Sequence, residues 1–351
     1  MKKKLFDEMK IKDLTNNELH LTYSVPFLIF LGLTYDCNYS CKHCYAKKNK
    51  NSQRRILEFN DFVELINSLE KIGSILINYS HGETLLYKNA LEIFKLAKKK
   101  GFFQTLITNG SLINSTEQIN NLHKSGINSI LISLDSPTSE KHNKNRGSSK
   151  AFLKAVNCLD MLSCSTIPIK GIAHTLNNFN SILDIEKIIQ IAIEKNLDYI
   201  SLMSMRNKAE PKIKDIVNNS DYLLSLWDLI LRYQKKILIS THEPLLIKLL
   251  ENTNFETEKE LLAFLDNNSC HAGESILSID CYGDIRACNF VSKVYGNIFE
   301  NDIFSIWDNI QTEYKNPKKS FSMDCLNCNV LQFCRGGCKH FFPTDHYCDI
   351  H

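Results

Sequence analysis

The chain has 351 residues, a formal net charge of +3 and 43% apolar residues. This length predicts about two domains, and so small a net charge gives no reason to expect a nucleic-acid partner. The lysines at positions 2–4 are followed by charged residues where a secretory signal needs an apolar segment, and no apolar run approaches the about 18 residues of a membrane span. We therefore expect a cytoplasmic protein with no membrane partner.

Short β-rich runs alternate with amphipathic stretches through the first two thirds of the chain. After a short N-terminal extension at 1–26, the alternation predicts an α/β fold with a parallel sheet, but it does not distinguish a doubly wound sheet from a partial barrel. Six strands are predicted, at 27–33, 74–79, 103–107, 129–134, 167–175 and 199–203, with helices at 60–71, 88–100, 116–125, 150–162 and 182–196.

Three cysteines lie close together just after the first predicted strand. Cys37, Cys41 and Cys44 have the spacing C-x3-C-x2-C, with His43 and Tyr45 beside the last of them. A structural zinc site needs four ligands and a [4Fe–4S] cube has four irons to bind, so three thiolates leave one position open to a small chelating molecule. Zinc completed by His43 would require a sharp fold of the loop, and a disulfide has no support because no secretory signal is predicted.

This loop resembles that of the radical S-adenosylmethionine (SAM) superfamily. In that family the amino and carboxylate groups of SAM occupy the open iron, and the reduced cluster cleaves SAM to a 5′-deoxyadenosyl radical that abstracts a hydrogen atom from a substrate. The resemblance implies a (βα)6 partial TIM barrel over 27–240. It also implies that Cys37, Cys41 and Cys44 hold the first cluster and carry the catalysis.

Polar segments follow the later predicted strands, at the end of a barrel where active sites lie. Residues 80–84 resemble the family's Gly-Gly-Glu-Pro segment, which meets the SAM amino group, although His81 and Thr84 replace its first Gly and its Pro. The sequences Thr-Asn-Gly at 108–110 and Ser-Leu-Asp at 133–135 also match family segments, and each alone could be an ordinary turn. The resemblance assigns SAM binding to Tyr45, Gly82, Glu83, Asn109, Ser133 and Arg146.

Arg146 lies in a polar segment at 142–147 that resembles the family segment whose Arg pairs with the SAM carboxylate. A guanidinium suits this task because its planar fork meets a carboxylate through two hydrogen bonds. The alternative is a solvated basic loop. His174 and Arg206 are expected either to face the same mouth or to be satisfied residues on its rim.

A second set of cysteines lies in the C-terminal part of the chain. Four of them have the spacing C-x2-C-x5-C-x3-C, and the set resembles the SPASM extension of radical SAM proteins, with a helical linker at 241–269 and the extension at 270–351. The resemblance implies two auxiliary [4Fe–4S] clusters, three in all with the first. The outer cluster would be held by Cys325, Cys328, Cys334 and Cys348, and the inner one by Cys270, Cys288 and Cys338.

Two further cysteines need an interpretation. Cys281 could be a fourth ligand of the inner cluster or a bystander, and we favour the bystander. Cys158 lies among leucines in a predicted helix, where a small buried apolar residue is expected.

SPASM relatives imply oxidation of a ribosomally made peptide or protein, by crosslinking or dehydrogenation, with electrons from a flavodoxin or ferredoxin. Formylglycine formation is an alternative, but the sulfatase-maturating relatives carry an Asp where this chain has Asn289, and an amide cannot act as a base. A separate protein or another surface would have to recognise a leader peptide, because the 1–26 extension is too short for a winged-helix domain. A non-catalytic iron–sulfur electron carrier or redox sensor is the other alternative.

Overall fold

The computed structural model describes residues 24–177, 180–205, 220–241 and 268–315, together with residues 246, 249, 257, 264, 337 and 338. Within these residues ten strands form a single sheet. The strands are β1 (Leu28–Leu31), β2 (Leu76–Tyr79), β3 (Phe103–Thr108), β4 (Ile127–Ser133), β5 (Ile169–Leu176), β6 (Tyr199–Ser204), β7 (Leu238–Ser240), β8 (Ile276–Ile279), β9 (Asp284–Arg286) and β10 (Gly296–Asn297).

The sheet is mostly parallel, as the sequence predicts. Its order is β10-β9-β8-β1-β2-β3-β4-β5-β6-β7, and strands β1 to β7 run parallel to their neighbours. In the described part of the chain β10 and β7 are its edges, so the sheet is open, as in a partial barrel. All six predicted strands are present, and β7 is a short seventh that the sequence analysis did not predict.

The region predicted as a separate C-terminal domain begins within this sheet. Strand β8 pairs in parallel with β1, Leu28 standing opposite Ile276, and β9 and β10 continue the sheet in antiparallel pairing. The carboxyl ends of β1 and β8 therefore lie side by side, which brings the residues after β8 next to the cysteine loop. Residues 1–23 and most of the predicted linker lie outside the described residues.

The helices pack their apolar faces on the sheet. In the first of them Phe62 and Ile66 lie one turn apart and are fully buried, and Glu58 and Asp61 form a capping box at its start. All five predicted helices are present. The helices are α1 (Phe59–Ile72), α2 (Ala90–Lys99), α3 (Thr116–Ser125), α4 (Ser139–Arg146), α5 (Ala151–Ser163), α6 (Ile182–Glu194), α7 (Ser220–Tyr233) and α8 (Ile303–Lys315).

The central strands form the core. Strand β4 is buried along most of its length, because β3 and β5 flank it and two helices pack on it. No helix among the described residues combines the length and the apolar character that crossing a membrane requires.

Candidate active site

A cleft lies at the carboxyl ends of β1 to β6 and contains about 210 Å³ of internal space. Every residue that the sequence analysis assigned to the first cluster or to SAM lines this cleft, although these residues come from five separate places: the loops after β1, β2 and β3, the end of β4 and the end of α4. They are Cys37, Cys41, Cys44, Tyr45, Gly82, Glu83, Asn109, Ser133 and Arg146.

The cysteine loop after β1 is held from two sides by backbone hydrogen bonds. On one side Gly82 N donates to Thr34 O (3.0 Å) and Glu83 N donates to Asp36 O (2.8 Å). On the other side the end of α4 accepts from the loop, with Ser40 N at 3.2 Å from Arg146 O. The loop is therefore fixed by the segments that follow β2 and β4.

The thiols of this loop fit an iron–sulfur cluster bound through three cysteines. Cys37 is exposed, Cys41 and Cys44 are half-buried, and none of the cysteines in the described residues forms a disulfide. Burial raises the pKa of the Cys41 thiol, and the nearby Arg146 opposes this. Within the described residues no three His, Cys, Asp or Glu groups converge on a single metal ion, but the thiolates of a cube bind separate irons and need not converge.

Glu83 connects the loops that follow β2 and β3. Its carboxylate is almost fully buried and accepts from Thr108 Oγ1 (2.8 Å) and from Asn109 N (2.9 Å). Burial raises the pKa of Glu83, while the hydrogen bonds from Asn109 and Thr108 lower it. These bonds fix the orientation of a carboxylate at the wall of the cleft, where it can face an ammonium group.

His81, at the position where the family motif has Gly, has a φ of 85°, in the left-handed region that favours glycine. Its backbone N–H donates to Tyr45 Oη (3.2 Å), and its ring meets the rings of Tyr35 and Tyr45 edge-on. The ring lies so close to Gly32 that a Cβ there would be 2.8 Å from it. Burial lowers the pKa of His81 to about 4, so the ring is neutral. The turn therefore keeps its position without the expected glycine.

Arg146 is a buried residue at the end of α4, so the alternative of a solvated basic loop is wrong. Its Nε lies 2.6 Å from Asp135 Oδ2, and its Nη1 lies 3.8 Å from Cys41 Sγ. Asp135 also accepts from Asn145 Nδ2 (3.1 Å), and His43 Nε2 lies 3.6 Å away. Burial alone would raise the pKa of Asp135, but the Arg146 guanidinium holds it well below the usual range.

The sequence analysis named Asp135 only as part of a motif and gave no role to Asn145. The sequence feature that could have revealed this group is the segment 135–147, in which most residues are polar. His174 lines the cleft as well, and it is buried with Nδ1 at 2.9 Å from Leu134 O, so it both faces the predicted mouth and has a hydrogen-bonded ring nitrogen. Arg206 lies outside the described residues.

The segment after β9 closes one side of the cleft through Asn289 and Phe290. The Phe290 ring meets the Tyr45 ring at 4.8 Å between centroids. The hairpin that carries this segment is anchored by Asp280, which accepts from Tyr35 Oη (2.9 Å) and from Arg286 Nη1 (2.6 Å). The cysteine loop and the C-terminal hairpin thus share one packed interface at the cleft.

The comparisons with known proteins agree with this geometry. Residues 31–190 match the family model of the radical SAM superfamily. The chain contains a radical SAM domain. The matched residues run from Leu31, the last residue of β1, into α6 and include all the loops that line the cleft up to α4. This family implies SAM and a [4Fe–4S] cluster as cofactors.

Curated relatives match across most of the chain. Fe-coproporphyrin III synthase of Methanosarcina barkeri is 27% identical, with 93% of this chain and 86% of that protein covered. An AdoMet-dependent heme synthase of the same organism is 22% identical, with 89% and 91% covered.

Two solved structures share the fold. SuiB of Streptococcus suis bound to the precursor peptide SuiA has a TM-score of 0.71 at 19% identity, with 92% of this chain and 73% of SuiB covered. The structure of anSMEcpe with bound AdoMet and the Kp18Cys peptide has a TM-score of 0.66 at 17% identity, with 89% of each chain covered. At these identities the likeness shows a common fold.

Beyond the radical SAM domain, the structure describes the predicted ligands of the inner auxiliary cluster but not those of the outer cluster. Cys270, Cys288 and Cys338 are half-buried and pack against the main core. Tyr314 lies close enough to Cys270 and Cys288 for their charges to affect its pKa. The predicted outer ligands lie outside the described residues, namely Cys325, Cys328, Cys334 and Cys348.

Cys281 and Cys158 are in apolar surroundings. Cys281 is 1% exposed and packs with Tyr35, Ala46 and Tyr282 on the side of the cysteine loop. Burial raises the pKa of the Cys281 and Cys158 thiols to about 12. Both environments suit a protonated thiol that packs as a small apolar side chain.

Proposed function

We propose that this protein binds SAM at a [4Fe–4S] cluster held by Cys37, Cys41 and Cys44, and that it oxidises a peptide or protein substrate. A cluster at this position would supply the electron that cleaves SAM to a 5′-deoxyadenosyl radical. The observation that carries the proposal is the convergence of all the predicted cluster and SAM residues on one cleft. An electron carrier would need the cysteines but not a fixed carboxylate and guanidinium facing the same space.

The chain's own residues would bind and orient SAM. Glu83 offers a carboxylate to the amino group, and Arg146 offers to the SAM carboxylate its Nη2, the guanidinium nitrogen that is not in contact with Asp135 or Cys41. Tyr45, Gly82, Asn109 and Ser133 would complete the contacts along the cleft wall.

Glu83→Gln is expected to weaken SAM binding without loss of iron. The change removes the negative charge from a buried group and keeps its size, and a hydrogen bond to a charged group contributes about 1.5–3 kcal/mol. This corresponds to roughly a 10- to 150-fold higher Kd for SAM, measured by calorimetry on the reconstituted protein. Glu186→Gln is the matched control, because Glu186 also accepts two hydrogen bonds, from Arg232 and Tyr233, but lies on α6. Equal SAM affinity in both variants would contradict the role of Glu83.

A peptide substrate is favoured by the charge of the cleft. Among its described lining residues Arg146 is the one permanent cation, and it is already paired with Asp135. Burial lowers the pKa of His81 to about 4 and also lowers that of His43 and His174, so these rings are neutral. Apolar side chains form much of the remaining wall, including Ile107, Met203, Met205 and Phe290. Such a wall suits uncharged side chains and backbone amides.

A tetrapyrrole is the second candidate substrate. The curated relatives favour it, since they include an Fe-coproporphyrin III synthase and heme synthases. A coproporphyrin carries several carboxylates, which need cations when they are desolvated. The described lining offers few, so we rank this candidate below a peptide.

The proposal includes two auxiliary clusters. The inner one, held by Cys270, Cys288 and Cys338, would accept the electron that remains on the substrate after hydrogen abstraction. The outer one would be held by the four cysteines outside the described residues. A flavodoxin or ferredoxin would reduce the first cluster, and a separate protein would present a leader peptide if the substrate has one.

The substrate assignment is tested by incubating the reconstituted enzyme with SAM, a reductant and short peptides encoded beside its gene, and in parallel with an iron coproporphyrin. Loss of two hydrogens from one peptide, seen by mass spectrometry and absent with the Cys37/Cys41/Cys44→Ala variant, is the expected result. Conversion of the porphyrin alone would establish the second candidate instead. Conversion of a sulfatase Cys or Ser peptide to its aldehyde would contradict the argument from Asn289.

A further inference from the structure

We propose that Asp135 and Arg146 set the reduction potential of the cluster at the cysteine loop, acting in opposite directions through the Cys41 sulfur. The inference rests on the proposed function, because it requires a cluster on Cys41. Arg146 thereby has a second role in addition to SAM binding. Asp135 positions the Arg146 side chain and offsets its charge.

The contact that carries the inference is between a guanidinium and a single thiol. Arg146 Nη1 lies 3.8 Å from Cys41 Sγ, and Arg146 Nε lies 2.6 Å from Asp135 Oδ2. The Asp135 side chain is fully buried and the Arg146 side chain is 10% exposed, so solvent screens their charges only weakly. The three groups therefore form a row of carboxylate, guanidinium and sulfur.

The other two thiols of the loop have no comparable partner among the described residues. Cys37 Sγ accepts from the neutral amide of Asn109, with Nδ2 at 4.0 Å. Cys44 packs against the apolar group of Tyr35, Cys281 and Tyr282. Of the three thiols, Cys41 is therefore the one in contact with a guanidinium, and the Glu83 carboxylate is a further charge that acts on Cys37.

Backbone contacts keep the row in place. Ser40 N and Lys42 N, on either side of Cys41, donate to the carbonyls of Arg146 (3.2 Å) and Asn145 (2.9 Å). Gly147, with a φ of 65°, ends α4 so close to Ser40 that an added Cβ would overlap its hydroxyl. These contacts hold the backbone at the end of α4 against the loop, which keeps the base of the Arg146 side chain beside Cys41.

The direction of each effect follows from electrostatics. Reduction adds one negative charge to a cluster, so a nearby cation stabilises the reduced form and raises the potential, whereas an anion lowers it. Arg146 is the cation and is in contact with the sulfur. Asp135 is the anion that offsets it from the far side. Removing one of them leaves the other uncompensated in a buried site.

The test is a redox titration of the reconstituted full-length protein followed by electron paramagnetic resonance, using the signal that changes when SAM is added. Arg146→Gln is expected to lower the potential and Asp135→Asn to raise it, each by about tenfold or more in the reduction equilibrium, which is about 59 mV for one electron. Asp280→Asn is the matched control. Asp280 is also fully buried with an Arg partner at 2.6 Å, Arg286, but that pair does not contact the loop cysteines.

Opposite shifts larger than the shift in the control support the inference. Shifts of the same sign, or shifts no larger than the control, overturn it. If Arg146→Gln loses iron, Arg146→Lys is used in its place. Because Lys keeps the positive charge, its potential should be near that of the natural protein, and Asp135→Asn should still raise the potential. Any other pattern overturns the inference. An unaltered protein that binds no cluster would instead overturn the proposed function, so the two failures are distinguishable.

Discussion

Gly82→Ala is expected to disrupt the site, because the cysteine loop leaves no room for a side chain at residue 82. A Cβ on residue 82 would overlap the carbonyl oxygen of Asp36 and lie 2.7 Å from that of Thr34. Both are backbone atoms of the cysteine loop, so no side chain can move aside to make room. Overpacking of this kind costs about 1–3 kcal/mol or more. The loop must separate from the turn after β2, which breaks the hydrogen bond from Gly82 N to Thr34 O.

The expected result for Gly82→Ala is a loss of at least tenfold in SAM affinity, together with incomplete iron loading. A glycine in open space, Gly101, provides the control. Gly101 has a φ of 84°, yet an added Cβ would meet nothing within 4 Å. Gly101→Ala therefore adds backbone strain of about 1 kcal/mol without a clash at the site. If Gly82→Ala has normal iron content and normal SAM affinity, the close approach of the turn after β2 to the cysteine loop is not needed for cluster or SAM binding.

Replacing Cys37, Cys41 and Cys44 together by Ala is expected to remove one cluster and leave two. If three cubes of about four irons each are present, anaerobic reconstitution should give about twelve irons per chain in the unaltered protein and about eight in the variant. Cys164→Ala is the control, because Cys164 is exposed and lies at the end of α5. Its iron content should equal that of the unaltered protein.

The iron count also separates the claims about the first and the auxiliary clusters. About four irons in the unaltered protein would contradict the auxiliary clusters and leave the first one standing. Zinc in place of iron would contradict both.

Much of the sheet could be predicted from the sequence because its strands carry local signals. Strands β1 to β6 are short apolar runs, and the amphipathic helices between them have clear periodicity. The short strand β7 has three residues, too few for such a signal. The pairing of β8 with β1 joins strands about 250 residues apart, with Leu28 opposite Ile276, and no local pattern encodes a parallel partner at that distance.

The candidate site could be predicted as a set of residues but not as a network. The resemblance of short motifs to radical SAM segments assigned Glu83, Asn109 and Arg146 to SAM binding, and all three line one cleft. The helix α4 was not predicted because residues 139–146 contain no apolar residue, so periodicity gives no signal. Without that helix, the pairing of Arg146 with Asp135 and its contact with Cys41 could not be inferred.

The most direct test of the central claim is the formation of 5′-deoxyadenosine from SAM by the anaerobically reconstituted protein in the presence of a reductant. The unaltered protein and Asn289→Ala should both form it, because Asn289 lines the cleft but is assigned neither to a cluster nor to SAM. The Cys37/Cys41/Cys44→Ala variant should form none. Equal amounts from the triple variant, or none from an unaltered protein that carries its full iron content, would contradict the assignment of this cleft to radical SAM chemistry.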